Sequence, residues 1–333
     1  MVLQTRPEQS ISLRNVYQDW IHTQHLLRTL QEQITELSPS QVQVVLENAV
    51  MYRLLHDDQP TPKRLFTTID AEAIQQGLDA IGQPQAPDLS ATFLAVLNVP
   101  WPEHKNSERP TVHLTETELR CGLFRQPLVT PIQRLLKVAF TLYAPQTALQ
   151  FVARCALRYA SIYAKTRHIG PPQGVYDDFY AWGVRNEGFA SPFNARLLGR
   201  SDCRFFSAFV DTDAVFGSNG SLFNAHWSDH DGAWCLDPPF LPETMQRTMN
   251  VIRKWRGDKR CPAILLIVPA SFTPDYTPDE TVRLTAGYHC YTGLDGQLRP
   301  LPVDVNIHRY GMLEGFDAAR IQQGYLPETE DTQ

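Results

Sequence analysis

The hydrophobic positions of this chain change period part-way along. In the first half they recur at helical spacing. "VYQDWIHTQHLLRTLQEQITEL" carries one apolar stripe, and "SPSQVQVVLENAVMYRLLHD" opens on a serine cap with a proline in its first turn, the signature of a helix start. "DAEAIQQGLDAI" predicts a shorter helix, and "TPIQRLLKVAFTLY" and "PQTALQFVARCALRYASIYAK" predict two amphipathic ones. The proline-rich stretches "GQPQAPDL" and "NVPWPEHKNSERP" read as loops or linkers. In "TETELRC", Thr115 and Glu118 stand three apart, as in a capping box. No internal repeat or low-complexity tract is present.

After "RHIGPPQG" the pattern becomes short apolar runs separated by loops and helices. "GAWCL" predicts a strand. "PETMQRTMNVIRKW" predicts a helix with Met245, Met249, Ile252 and Trp255 near one face. "PAILLIVPA" is a continuous apolar run of strand length. Strand, helix, buried strand is a βαβ unit and so part of a parallel sheet. The expected organisation is a mainly helical domain over residues 1–174 and an α/β domain over 175–333.

Between the first of these strands and the helix stands Asp237-Pro238-Pro239-Phe240. The two prolines forbid further ladder pairing. One reading is a rigid strand-to-helix corner with Phe240 as a core plug. The other is a stiff platform that presents hydrogen-bond acceptors and a ring face to a flat ligand. Ligands of parallel sheets sit at the carboxyl ends of strands, which is where this tetrapeptide falls. An adenine amine is a poor nucleophile, because its lone pair is delocalised into the ring. The Asp237 side chain and the Pro238 carbonyl can accept both N6 hydrogens and free that lone pair, while Phe240 stacks on the base.

Composition bounds the function classes. With 333 residues, 43% of them hydrophobic, the chain can build a sizeable core. No apolar run reaches the length of a membrane span, and the polar "MVLQTRPEQS" start lacks a signal-peptide pattern, so the expected location is nuclear or cytoplasmic. Six cysteines without a CxxC pair predict reduced thiols, with neither a disulfide frame nor a zinc site. A net charge of −6 argues against non-specific nucleic-acid binding but leaves room for a local basic groove. "RKWRGDKR", and Arg154, Arg158, Lys165 and Arg167 along one segment, either supply such a groove or are solvated helix faces. "HWSDHD" places His226 and His230 four apart, but in a loop-like stretch with no third ligand cluster, so no metal is expected. "GSNG" matches a GxxG loop without the surrounding KH pattern.

Upstream, Glu187 precedes a small-residue turn containing Ala190 and Ser191, with Asn194 after it. An acid and a tight turn after a first strand suit an amino group and close backbone approach. Farther on, "RFFSAFVDTDAVFGSNGSLFN" holds a strand, then Asp211, Asp213 and Phe216-Gly217-Ser218; an Asx turn with a glycine loop is the ordinary alternative. Taken together, "FYAWGVRNEGFASPFNARL", "FFSAFVDTDAVFGSNGSLFN", "GAWCLDPPF" and "AILLIVPASF" resemble, in order and spacing, the phosphorylated-CTD-interacting-factor methyltransferases, over roughly residues 175 to 310. The resemblance implies a Rossmann-like class I methyltransferase domain that uses S-adenosyl-L-methionine and methylates N6 of the 2′-O-methyladenosine beside an mRNA cap, with capped RNA as partner. It implies catalytic roles for Asp237, Pro238, Pro239 and Phe240. It also implies a donor neighbourhood of Glu187, Ala190, Ser191, Asn194, Asp211, Phe216, Gly217 and Ser218, and His289 and Tyr291 as pocket lining, unless "GYHCY" is simply a hairpin strand. The family tetrapeptide begins with Asn, whereas this chain has Asp237, an acceptor that adds charge and does not donate. DNA or internal RNA therefore remains an alternative substrate, and a non-catalytic RNA-binding subunit remains an alternative role. No WW domain, and hence no recruitment to phosphorylated polymerase tails, is expected.

Overall fold

A computed structural model of the chain describes residues 11–56, 65–66, 69–84, 86–100, 110–162, 169–293 and 295–327. They fall into two compact units. The first is formed by the amino-terminal half together with Phe209–Val215; the second takes the chain from residue 169 onward apart from that segment.

The amino-terminal unit is mainly helical. Its helices are α1 (Leu13–Gln33), α2 (Pro39–His56), α3 (Ala71–Asp79), α4 (Pro87–Leu97), α5 (Thr130–Leu142) and α6 (Pro145–Ala160). Ser12 caps α1 and Asp70 caps α3, each side chain accepting an N–H of the first turn. Gly77 lets α3 close onto α2: a Cβ there would stand 2.4 Å from the Val45 carbonyl oxygen. Two expectations need correction. "GQPQAPDL" is not all loop, because Pro87 starts α4, where its missing N–H costs nothing. "TETELRC" does not begin a helix. Thr115 accepts the Glu118 N–H, but as the turn between β1 (Val112–Leu114) and β2 (Glu118–Cys121), which join β3 (Phe124–Pro127) in an antiparallel sheet. "NVPWPEHKNSERP" lies largely outside the described residues.

In the basic segment, the two described arginines line no open groove. Arg154 and Arg158 are buried, and Lys165 and Arg167 lie outside the described residues. The Arg158 guanidinium, fully buried, pairs with Asp19 at 3.1 Å and with Asp211 at 2.7 Å. Asp211 belongs to the short helix Val210–Asp213, part of the segment that this unit takes from the middle of the chain. Nor is "RKWRGDKR" a free cationic stripe: Arg253 pairs with Asp275, and Arg260 with Asp258.

The second unit is a mixed α/β structure. A helix over Gln173–Ala181 leads into a six-stranded sheet in the order β5-β4-β6-β7-β11-β8. Its members are β4 (Val184–Glu187), β5 (Arg204–Phe205), β6 (Ala233–Leu236), β7 (Ile264–Pro269), β8 (Glu280–Leu284) and β11 (Val305–Tyr310). The first four in space are parallel, and β11 runs antiparallel to both neighbours. The helix Pro242–Arg256 crosses from β6 to β7, so the βαβ unit read from the apolar runs is present. Every residue of β6 and β7 is buried, because both faces are covered. Val175, Phe179, Cys235, Leu265 and Ile267 pack on one face; Trp234, Leu236, Met249, Ile252 and Trp255 pack on the other. The chain passes from β4 to β5 on one side and then returns to β6 on the other. This reversal opens a crevice at the carboxyl ends of β4 and β6, the position at which open α/β sheets bind ligands.

Candidate active site

Asp237 follows the last residue of β6, at that crevice. Pro238 and Pro239 end the strand, and the Leu241 N–H folds back onto the Pro239 carbonyl at 2.7 Å to form a tight corner before the helix Pro242–Arg256. Phe240 is 38% exposed, too open for a core plug. Among the described residues no hydrogen bond engages the Asp237 carboxyl, and no backbone N–H takes the Pro238 carbonyl. The corner therefore holds two unclaimed acceptors and an open ring face.

Asp237 keeps a partly exposed edge, yet its carboxyl is closely surrounded. Burial pushes its pKa up to about 8, and the nearby Glu187 carboxylate pushes in the same direction. Near neutral pH the group is then largely protonated, with a carbonyl oxygen that accepts and an O–H that donates, the same complement as an asparagine amide. That corrects the view of Asp237 as an acceptor only. The sequence does not reveal this, because protonation depends on packing.

Glu187, the last residue of β4, is buried and accepts the backbone N–H groups of Arg196 at 3.0 Å and Leu197 at 3.1 Å. It thereby pins the turn that follows the strand. Gly188 ties that turn to β6 through the Cys235 carbonyl, and its missing Cβ makes room for Leu236, which a side chain would meet at 2.3 Å. The Ala190 N–H donates to Phe206, and Asn194 accepts from both the N–H and the hydroxyl of Ser191. Ser218 bridges to Phe205 of β5, and its hydroxyl meets that of Ser207 at 2.7 Å. Gly217 turns the chain at φ +94°, a conformation that favours glycine. Phe216 is buried. The structure thus brings Glu187, Ala190, Ser191, Asn194 and Ser218 to the carboxyl ends of β4 and β5. Asp211, expected in the donor neighbourhood, belongs to the helical unit and pairs there with Arg158.

Tyr176, Tyr325 and Arg196, which the sequence did not single out, join this site. Tyr325 at the end of the helix Ala318–Gly324 and Tyr176 in the helix Gln173–Ala181 are buried electrostatic neighbours of Asp237. Tyr291 is a third such neighbour. The Tyr291 and Tyr325 hydroxyls have no hydrogen-bond partner, and their rings lie 5.9 Å apart. Arg196, 8% exposed, has a buried Nε without a partner and lies beside Glu187, Tyr176 and Tyr325. Only tertiary structure unites these residues; an isolated buried Tyr or Arg carries no signal in one sequence. Tyr291 belongs to the hairpin β9 (Cys290–Thr292) and β10 (Leu298–Pro300), so the strand reading of "GYHCY" holds alongside a position near the site. His289 instead accepts the Thr285 N–H at 2.8 Å.

Other features lie apart. An open cleft of about 320 Å³, lined by Arg185, Asp202, Arg204, Asp229, His230 and Asp231, sits at the amino ends of β4 to β6, away from the motif. His226 bonds Ser228 in a short 3₁₀ turn, and no metal-holding cluster occurs among the described residues. No helix among them is long and apolar enough to cross a membrane.

A family model described as the phosphorylated CTD interacting factor 1 WW domain matches residues 146–287. The expectation that the family's WW region is lacking is corrected by this match. The matched residues contain all of α6 but its first residue and the strands β4 to β8, including Glu187 and Asp237. No curated protein matches the chain.

Proposed function

We propose that this chain, whose residues 146–287 belong to the phosphorylated CTD interacting factor 1 family, transfers a methyl group from S-adenosylmethionine to N6 of adenosine. The observation that carries the reading is the corner after β6: an unclaimed carboxyl, an unclaimed Pro238 carbonyl and an open Phe240 ring at the crevice between two parallel strands. The strand order, with one antiparallel strand inserted next to the edge, supports a Rossmann-like methyltransferase domain. The donor set suits the cofactor. Unpartnered buried phenols stand beside Asp237 and the buried Arg196 guanidinium stands beside Glu187 and Tyr325, and a zwitterionic ligand offers such donors an acceptor.

When bound, S-adenosylmethionine supplies an electrophilic methyl on a sulfonium sulfur. The Asp237 carbonyl oxygen and the Pro238 carbonyl each accept one N6 hydrogen, drawing the nitrogen toward tetrahedral geometry. The prolines keep both acceptors fixed, so little reorganisation is needed. Phe240 stacks on the base and sets its depth. A bound donor would give its methyl to the N6 lone pair and keep the C–S electron pair, and the exposed edge of Asp237 would let the surplus N6 proton pass to water.

The proposed substrate is the 2′-O-methyladenosine beside an mRNA cap. Methyl transfer to capped adenosine-starting RNA, uncapped RNA and DNA oligomers, with Asp237→Ala as control, tests it. Preference for capped RNA, abolished by the substitution, is expected. Preference for uncapped RNA or DNA would move the substrate to those polymers. Transfer to none of them by the folded protein would leave a binding subunit.

A further inference from the structure

The chain carries a net charge of −6, yet its residues 242–260 hold six cationic side chains against two carboxylates. They form the helix Pro242–Arg256 and the turn after it, which begin just beyond Phe240. Arg253 and Arg260 are held by acids, whereas Lys254 and Lys259 are exposed and pair with no carboxylate among the described residues. Aromatic rings line the same helix. The short turn Leu222–Asn224 packs against it. The Arg247 guanidinium lies over the Phe223 ring at 4.5 Å, and that of Arg260 over the Trp227 ring at 5.9 Å. Phe223 meets Phe189 edge to face at 5.7 Å, and His226 packs on Trp227 at 5.8 Å. None of these four rings is fully buried. Arg247, Val251 and Lys254 are spaced four and three apart, so they share one side of the helix. Rings interleaved with guanidinium groups suit unpaired nucleic acid, because every base has a face to stack and the cations meet the phosphates between. A phosphorylated peptide calls for guanidinium forks turned outward to grip phosphate. Here two of the guanidinium groups lie over rings instead.

Resting on the methyltransferase reading, we infer that Phe189, Phe223 and Trp227, with Arg247, Lys254 and Arg260, bind the unpaired polynucleotide strand that adjoins the target adenosine. The face starts at the crevice. Leu222 lies against the turn after β4, where a Cβ on Gly188 would stand 3.3 Å from it, and Phe189 is the next residue of that turn. From Arg247 to Arg256 the helix runs about 14 Å at 1.5 Å per residue. That is room for about four nucleotides at the 3.4 Å spacing of stacked bases. A duplex offers no free base faces, so the strand on this surface must be single. The protein is then selective for targets with unpaired neighbours, a preference that Asp237 and Phe240 cannot impose on the target base alone.

Fluorescence anisotropy of the full chain with labelled, unstructured RNA, shorter and longer than about four nucleotides beyond its adenosine, tests the assignment. Affinity should rise with length up to that limit and fall when the flank is paired into a duplex. Phe223→Leu and Trp227→Leu keep apolar packing but remove a stacking face, and each should weaken binding of the longer RNA about tenfold or more. Lys254→Gln and Lys259→Gln, at exposed positions outside the core, should each reduce the slope of log K against log salt by about 0.7. Undiminished binding of the longer RNA by all four variants, from a protein that does transfer methyl groups, overturns this inference alone. Failure of the wild-type protein to bind single-stranded RNA overturns it as well. Tighter binding of a phosphorylated peptide than of RNA, lost in the same variants, overturns it in favour of a peptide dock. RNA binding that the variants lose, by a wild-type protein that transfers no methyl group, supports the strand-binding face and overturns the methyltransferase reading.

Discussion

Replacing Asp237 by Asn separates the charge of this side chain from its shape. The carboxyl pKa is raised from its ordinary 3.8 to about 8, chiefly by burial and secondarily by Glu187. The fold therefore holds this proton more tightly than the unfolded chain does. Below about pH 4 both states are protonated and the acid costs nothing. Between about pH 4 and 8 the unfolded chain ionises first, so the wild-type protein loses stability as pH rises, and the loss levels off above about pH 8. At 1.36 kcal/mol per unit the ceiling is about 6 kcal/mol. An amide has no such titration. Asp237→Asn should match wild type in melting temperature near pH 4.5 and exceed it by a few degrees at pH 8.5. Differential scanning calorimetry across this range measures the gap. A gap that stays constant with pH, or that opens in the opposite direction, would refute the assigned burial of the carboxyl. The same variant should retain methyl transfer at pH 7, because the neutral acid and the amide offer equivalent groups. Complete loss would mean that the carboxylate takes the N6 proton itself.

Phe240→Leu should fold normally and lose about 1–3 kcal/mol of base stacking, whereas Phe240→Tyr should stay active; a leucine variant with wild-type rate on adenosine-starting RNA would return Phe240 to a structural role. Arg158→Ala removes a buried ion-pair partner of Asp19 and Asp211 and should cost about 3–5 kcal/mol, with partial recovery of melting temperature at pH 5 as Asp211, whose carboxyl pKa burial raises, takes up a proton. Equal destabilisation at pH 5 and pH 8 would contradict the ion-pair account. Gly77→Val should separate α3 from α2, with a clear loss in chemical-denaturation midpoint, since the closest obstacle is the Val45 backbone, which cannot rotate away.

The parts legible in the sequence are those written in adjacent residues. The βαβ unit follows from two apolar runs and a striped helix, and the corner at Asp237 follows from paired prolines that end a strand. Two local signals proved ambiguous. A proline both begins helices and breaks them, so Pro87 passed for a loop. A threonine that accepts the N–H three residues on serves equally as a helix cap and a hairpin turn, so Thr115 passed for a cap. Arg158 exposes a deeper limit. Its partners Asp19 and Asp211 are far away in sequence, and the second belongs to a segment that the helical unit takes from within the α/β half. A cationic helix face and a buried ion-pair hub look the same until those partners are known. The same holds at the candidate site. Whether Asp237 behaves as an anion or as an analogue of asparagine is decided by burial and by Glu187 across the crevice. Where the family that this chain resembles carries Asn, Asp237 is held protonated by the packing around it, and the motif alone does not show that.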